Sequence, residues 1–302
     1  MLPPLAPGHA WGFWAHRLIN RLAVFTLPPE LMHFYKEHID YLTSHAVDPD
    51  RRRYAVEGEA PRHYIDIDVY GDSAIFTMPR RWQDAVAKYS EDTLLAYGIV
   101  PWHVDRMRYR LTEALRRRDA RDILRQTADL GHYVADANVP LHTTENYNGQ
   151  LTGQRGIHGF WESRLPELFA PDYDLFVGPP EYLFRPLDAV WDHVTRAHLA
   201  LDSVLGFERE LTKQFPDDRK YGFEERGTAT VRVYSREFSE AYHDRLGGQV
   251  ERQMRASVKL LSDLIYTCWI DAGQPDLRDL DAPPLEEPEP GIEAGEHPER
   301  EG

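Results

Sequence analysis

The sequence predicts an all-α fold, a single multi-helix domain. Three observations carry this. Apolar residues recur at helical spacing along most of the chain, no convincing set of alternating strands is present, and 302 residues suffice to bury a substantial core. The first candidate helix begins at His16 and runs through Leu18, Ile19, Leu22 and Ala23. Pro28-Pro29-Glu30 opens a second, extending to about Thr43 with Leu31, Phe34, Ile39 and Leu42 on its apolar side. Proline suits the first helical turn, where its missing N–H has no partner to lose. Residues 82–97, 104–117 and 121–136 read as further helices, as do 187–205 and 234–246. Gly247-Gly248 breaks the chain before the longest candidate, 250–270. There Val250, Met254, Val258, Leu261, Ile265 and Cys268 form one continuous stripe. Cys268 therefore reads as core rather than as a nucleophile. Ile65, Ile67 and Val69 alternate briefly, but one short run does not make a sheet.

Composition narrows the function classes. Cys268 is the only cysteine, which excludes an internal disulfide framework and any thiolate-rich metal site. No window approaches the roughly 18 unbroken apolar residues of a membrane span. The net charge of −15 argues against nonspecific attraction to polyanions. That charge is unevenly spread: residues 272–302 hold ten acids against two arginines, −8 in total. Residues 276–302, rich in Pro, Glu and Gly, read as a disordered acidic tail. Residues 106–126 hold eight arginines. They read either as a patch for phosphate or headgroups or as the wet face of helices whose Met107, Leu111, Leu115, Ile123 and Leu124 point inward; helix-spaced charge favours the second. No P-loop, dinucleotide fingerprint, nucleophile elbow or internal repeat is present.

The unusual component is histidine, 14 against one cysteine, so any metal site must use His, Asp and Glu. With 50 acids in the chain, chance places an acid four residues after roughly two histidines. The sequence has five such pairs: His33/Glu37, His132/Asp136, His158/Glu162, His198/Asp202 and His297/Glu301. Two stand out. In GHYVADANVPLH, His132 and Asp136 share one helix face, Pro140 ends the helix and His142 follows on the turn. In GIHGFWE, His158 and Glu162 repeat the pairing. A single such histidine is most often a satisfied core residue. Three histidines with two paired acids inside 31 residues point instead to metal. Upstream, His16, His63 and Asp66, and Asp48 and Asp50, extend the candidate set.

Taken in order, the segments WGFWAH, AVDPDR, HYID, GHYVADANVPLH and HGFWE resemble the superfamily that joins bacterial zinc-dependent phospholipase C with the single-strand-specific zinc nucleases. The resemblance spans about half the chain, from Trp11 to Glu162. It implies a helical domain over residues 11–275 with three zinc ions in a cleft between helices. By position, it places Asp48, His63, His132 and Asp136 on the first zinc; the aspartate of AVDPDR is either Asp48 or Asp50, and spacing to the arginine favours Asp48. His142, His158 and Glu162 fall on the second, and Trp11 (through its backbone amine and carbonyl), His16 and Asp136 on the third. A metal-bridging hydroxide would attack a phosphodiester, with Asp48 orienting or deprotonating it. The third metal needs a free amine on Trp11, which residues 1–10 block unless they are cleaved; Gly8-His9-Ala10 has the small-x-small form of a cleavage site. Without that cleavage two zincs are expected. The resemblance also implies a secreted or periplasmic protein, although an intact signal peptide is missing.

Glu162 and the HYxxD core around Tyr133 favour the phospholipase branch, so a phospholipid headgroup or other small phosphodiester is the expected substrate. Single-stranded nucleic acid is the alternative, and a non-catalytic helical metal-binding protein is the reading from another class. The aromatic residues Phe13, Trp14, Tyr64, Tyr147, Phe160 and Trp161 are candidates to stack a base or cage a choline, with core packing favoured for Trp161. No protein partner is implied.

Overall fold

The structure, a computed structural model, describes residues 12–226 and 229–280. The N-terminal extension 1–10, Trp11 and the acidic tail beyond 280 lie outside the described residues. Within them the regular structure is helical apart from one antiparallel hairpin, so the all-α class holds. No helix there is long and apolar enough to cross a membrane.

The chain opens with α1 (Gly12–Val24), α2 (Pro29–Glu37) and α3 (Ile39–Ser44), followed by the short α4 (Asp48–Arg52) and α5 (Ala74–Thr77). The helix expected over 28–43 is thus two, divided at His38, whose φ of −109° leaves the helical region. The helix expected over 82–97 is likewise two, α6 (Trp82–Tyr89) and α7 (Glu91–Tyr97). Ser90 between them takes a left-handed φ of 71°, and its hydroxyl accepts the Thr93 N–H. Ser followed by Glu91 and Asp92 is a helix-start signal inside an otherwise helical pattern.

Then come α8 (Val100–Arg117) and α9 (Ala120–Asp136), joined by left-handed Arg118 and capped by Asp119, whose side chain accepts the Asp122 N–H. Four arginines of this pair are matched by nearby acids: Arg108 by Asp105, Arg116 by Glu113, and Arg117 and Arg125 by Asp122. Met107, Leu111, Leu115, Ile123 and Leu124 are buried. The solvated-face reading is the one realised.

The remaining helices are α10 (Ile157–Gly159), α11 (Leu165–Phe169), α12 (Pro186–Thr212), α13 (Asp217–Lys220), α14 (Arg236–Leu246) and α15 (Gln249–Asp271). Between α13 and α14, β1 (Tyr221–Arg226) pairs antiparallel with β2 (Ala229–Tyr234). This hairpin was not expected. Its signal is the β-favouring run Thr230-Val231-Arg232-Val233-Tyr234 after a glycine, assigned in part to the helix that follows. Its base is fixed by a buried ion pair: Lys220 Nζ lies 2.8 Å from Glu208 Oε1 on α12. Gln154 Nε2 donates to the other oxygen of Glu208 at 2.5 Å.

α15 buries the predicted stripe, Cys268 included, between α1, α8 and α9. At the crossing of α1 and α9, a Cβ on Gly131 would stand 1.8 Å from Asn20 Oδ1. The missing side chain lets Asn20 Nδ2 donate to the carbonyls of Ala128 (3.0 Å) and Leu42 (3.3 Å). Packing continues past the expected boundary at 275. Leu277 is buried, Trp269 Nε1 donates to the Pro275 carbonyl, and Arg118 pairs with Asp279. An apolar leucine within the acidic text extends the packed body to 280.

Two apolar clusters form the interior. The larger gathers α1, α2, α8, α9 and α15; the smaller gathers α14, the C-terminal half of α12 and residues 157–170. At their seam, polar positions alternate with apolar ones: Ala15, His16 and Ile19 on α1, then Ala135, Asp136 and Val139 at the end of α9.

Candidate metal centre

Five histidines and three carboxylates meet at that seam. Three groups bring their ligating atoms within 4.8 Å of one another: His16, His132 and Asp136; Asp50, His63 and His132; and His142, His158 and Glu162. Apart from Asp50, each of these residues is buried.

α9 contributes the central pair. His132 and Asp136, one turn apart, present Nε2 and Oδ2 to each other at 3.3 Å. The Asp136 carboxylate faces four imidazoles: His63 at 3.0 Å, His132 at 3.3 Å, His142 at 3.4 Å and His16 at 3.7 Å. α1 supplies His16, whose ring stacks on His132 with centroids 4.2 Å apart. His16 also reaches Glu162 at 3.4 Å, so it lies between the groups.

His142 sits on the 3₁₀ turn Pro140–Thr143, which Pro140 forces at the end of α9. Reciprocal bonds lock it to the segment bearing His63. His142 Nδ1 donates to the His63 carbonyl at 2.8 Å, and the Ile65 N–H donates to the His142 carbonyl at 2.9 Å. His158 and Glu162 lie where α10 widens into a π turn over Phe160–Arg164, with Leu165 N–H bonding five residues back to Phe160. Pro166 explains the widening: it has no N–H for the Glu162 carbonyl, and its ring would clash there. The turn leaves Glu162 Oε2 2.7 Å from His158 Nε2 and 3.4 Å from His142 Nε2.

The donor chemistry fits a bound metal. His132 Nδ1 donates to the Ala46 carbonyl at 2.9 Å, as His142 Nδ1 does to His63, and each bond fixes the tautomer that leaves Nε2 bare toward the cluster. Nitrogen atoms face nitrogen atoms, His142 Nε2 to His158 Nε2 at 2.9 Å and His132 Nε2 to His63 Nδ1 at 3.1 Å. Imidazoles and carboxylates without thiolate are the ligand set of zinc and similar divalent ions.

Electrostatics agree. Burial would raise the Asp136 and Glu162 carboxyls, but His132 and His142 hold Asp136, and His142 holds Glu162, well below the usual range. Burial would lower His132 and His142, yet the facing carboxylates raise both. Burial pushes His63 down to about 4, leaving it neutral at pH 7. The carboxylates that hold protons on His132 and His142 would equally hold a dication.

Most predicted ligands converge: His16, His63, His132, Asp136, His142, His158 and Glu162. Asp48 does not. Its carboxylate takes the His45 Nδ1 at 2.5 Å and Arg51 at 2.9 Å. Asp50 occupies the cluster in its stead, 3.5 Å from His132 Nε2 and 3.6 Å from His63 Nδ1. Asp66, buried, belongs to none of the three groups. Trp11 lies outside the described residues.

Of the aromatic candidates, Phe160 stacks on Tyr234 and Trp161 donates to Gln249, both in the core. Tyr64 is buried and Phe13 and Trp14 are half-buried. Tyr147 alone stands edge-on to a ligand, 6.0 Å from the His158 ring. Two residues escaped the sequence reading. Glu59 lies four residues before His63, on the side not counted when acids were sought after each histidine. Arg53, half-buried, follows Asp50 and bears electrostatically on both His63 and His142.

No protein-family model matches this chain, and the search of curated proteins finds no match.

Proposed function

We propose that this chain is a zinc-dependent phosphodiesterase of the phospholipase C kind. The observation that carries the reading is the single carboxylate of Asp136 facing four imidazoles drawn from all three groups. A lone structural ion needs one closed group of ligands. Adjacent groups, two of them sharing His132 and all three sending an imidazole toward Asp136, suit two or three ions set close together, the arrangement of phosphoester hydrolases. Bound zinc supplies Lewis acidity and an activated water at neutral pH.

The chain's own residues do the rest. Asp50 is the ligand least enclosed, its side chain 18 % exposed. Asp50 thus takes the orienting or proton-accepting role that the resemblance implied for Asp48. Arg53, three residues on, bears electrostatically on His63 and His142 and is placed to meet a negative phosphate.

A small phosphodiester is favoured over a single strand, because Phe160, Trp161 and Tyr64 are packed away and offer no stacking platform. The arginines of α8 and α9 named above are likewise occupied by acids rather than presented as a track for polyanions.

The test is turnover by the zinc-loaded protein of a choline phosphodiester and of single-stranded DNA. Zinc-dependent hydrolysis of the former at the faster rate is expected. Faster cleavage of DNA transfers the site to the nuclease reading, and metal uptake without turnover of either leaves a non-catalytic metal-binding protein.

A further inference from the structure

We propose that Glu59 is a positioning residue that stands behind His63, fixes its tautomer and so commits His63 to bind metal through Nδ1; this rests on the metal-centre reading above. His63 differs from its neighbours. His132 and His142 turn Nε2 to the cluster and anchor Nδ1 on backbone carbonyls. His63 turns Nδ1 inward, 3.0 Å from Asp136 and 3.1 Å from His132 Nε2. Its Nε2 therefore points away, fully buried and without a hydrogen-bond partner. An imidazole that ligates through Nδ1 carries its proton on Nε2, and that proton needs an acceptor.

One acceptor is at hand. Glu59 Oε1 lies 3.9 Å from His63 Nε2, a small movement from a hydrogen bond. Glu59 is itself 1 % exposed, in a chain that rarely buries an acid so completely. Its carboxylate is aimed by Tyr133 Oη, which donates to Oε1, and by Arg62, which donates to Oε2. Arg52 stands 3.6 Å away and is itself held by Asp129. Tyr133 is the residue after His132, so one turn of α9 supplies a ligand to the cluster and the clamp on its supporting carboxylate. A buried carboxylate with these three partners is satisfied without His63. Its placement opposite a buried ligand nitrogen that has no hydrogen-bond partner is what the positioning role explains.

The test uses the full chain stripped of metal and titrated with Zn2+ against a chelating dye. Glu59→Gln is expected to remain folded and to weaken one zinc site about 10- to 100-fold while the others stay within about twofold of wild type. Tyr133→Phe, which loosens the same network but leaves the carboxylate, is expected to change affinity far less than Glu59→Gln. Equal zinc affinity in Glu59→Gln and wild type overturns the proposal. Should Glu59→Gln not fold, 15N NMR of the zinc-loaded wild type decides: a protonated Nε2 on His63 is expected, and a protonated Nδ1 overturns it. A wild type that takes up no zinc overturns the metal centre as well, which separates the two failures.

Discussion

Asp48 and Asp50 sit two positions apart on α4, a rotation of about 200° around a helix. One therefore faces His45 and Arg51, and the other faces His63 and His132. Asp50→Asn is expected to weaken zinc retention at least about tenfold. Asp48→Asn should leave it unchanged and lower stability by about 1 kcal/mol, since its pairs are partly solvated. Metal analysis after dialysis, with a thermal scan, separates the two. The same scale carries a pH prediction. His132 and His142 are raised in the metal-free fold, so their contribution to stability is complete below the unfolded value near 6.5 and is lost as pH rises through their elevated values. Metal-free protein should thus be less stable at pH 9 than at pH 7. Zinc binding at pH 7 should release protons, measurable by calorimetry in buffers of different ionisation enthalpy. Proton-independent zinc binding would contradict this assignment.

At the scale of elements, the ligands that one helix or turn supplies were legible, because the pair four residues apart on α9 follows from helical geometry and the same spacing recurs from α10 into the π turn that carries Glu162. The segments between elements were harder to read. Whether Asp48 or Asp50 turns inward depends on where the short α4 begins, and the break at Ser90 depends on a cap inside an unbroken apolar pattern. The π turn at Phe160 needed Pro166 to be read as a perturbation rather than as a helix end. The hairpin was hidden by a run that also suits the start of a helix. Close crossing of α1 and α9 at Gly131 left no periodic signal at all, yet it brings His16 to His132. Gly131→Ala should cost about 1–3 kcal/mol or more, because Asn20 would have to give up its two carbonyls. Urea unfolding of the metal-free protein measures it. Lys220→Met, which strands Glu208 in the interior, should cost about 3–5 kcal/mol. It should leave zinc content unchanged, since Lys220 and Glu208 belong to none of the three ligand groups.

Across the whole molecule, acidity and the phosphodiester reading are compatible. More than half of the −15 charge belongs to residues 272–302, away from the ligand sequence. Within the body, the three carboxylates of the cluster face histidines whose protons a bound dication would replace. Zinc should therefore act as a folding ligand: its removal is expected to lower the melting temperature by several degrees. Five histidines and three acids are packed at the seam of two apolar clusters, in groups that could hold metal ions. The most direct measurement is the zinc content per chain of the full protein after loading and exhaustive dialysis. Two or three ions are expected, falling in Asp136→Asn by more than one because that carboxylate faces imidazoles of all three groups. A wild type that retains one ion or none contradicts the proposed multi-zinc site.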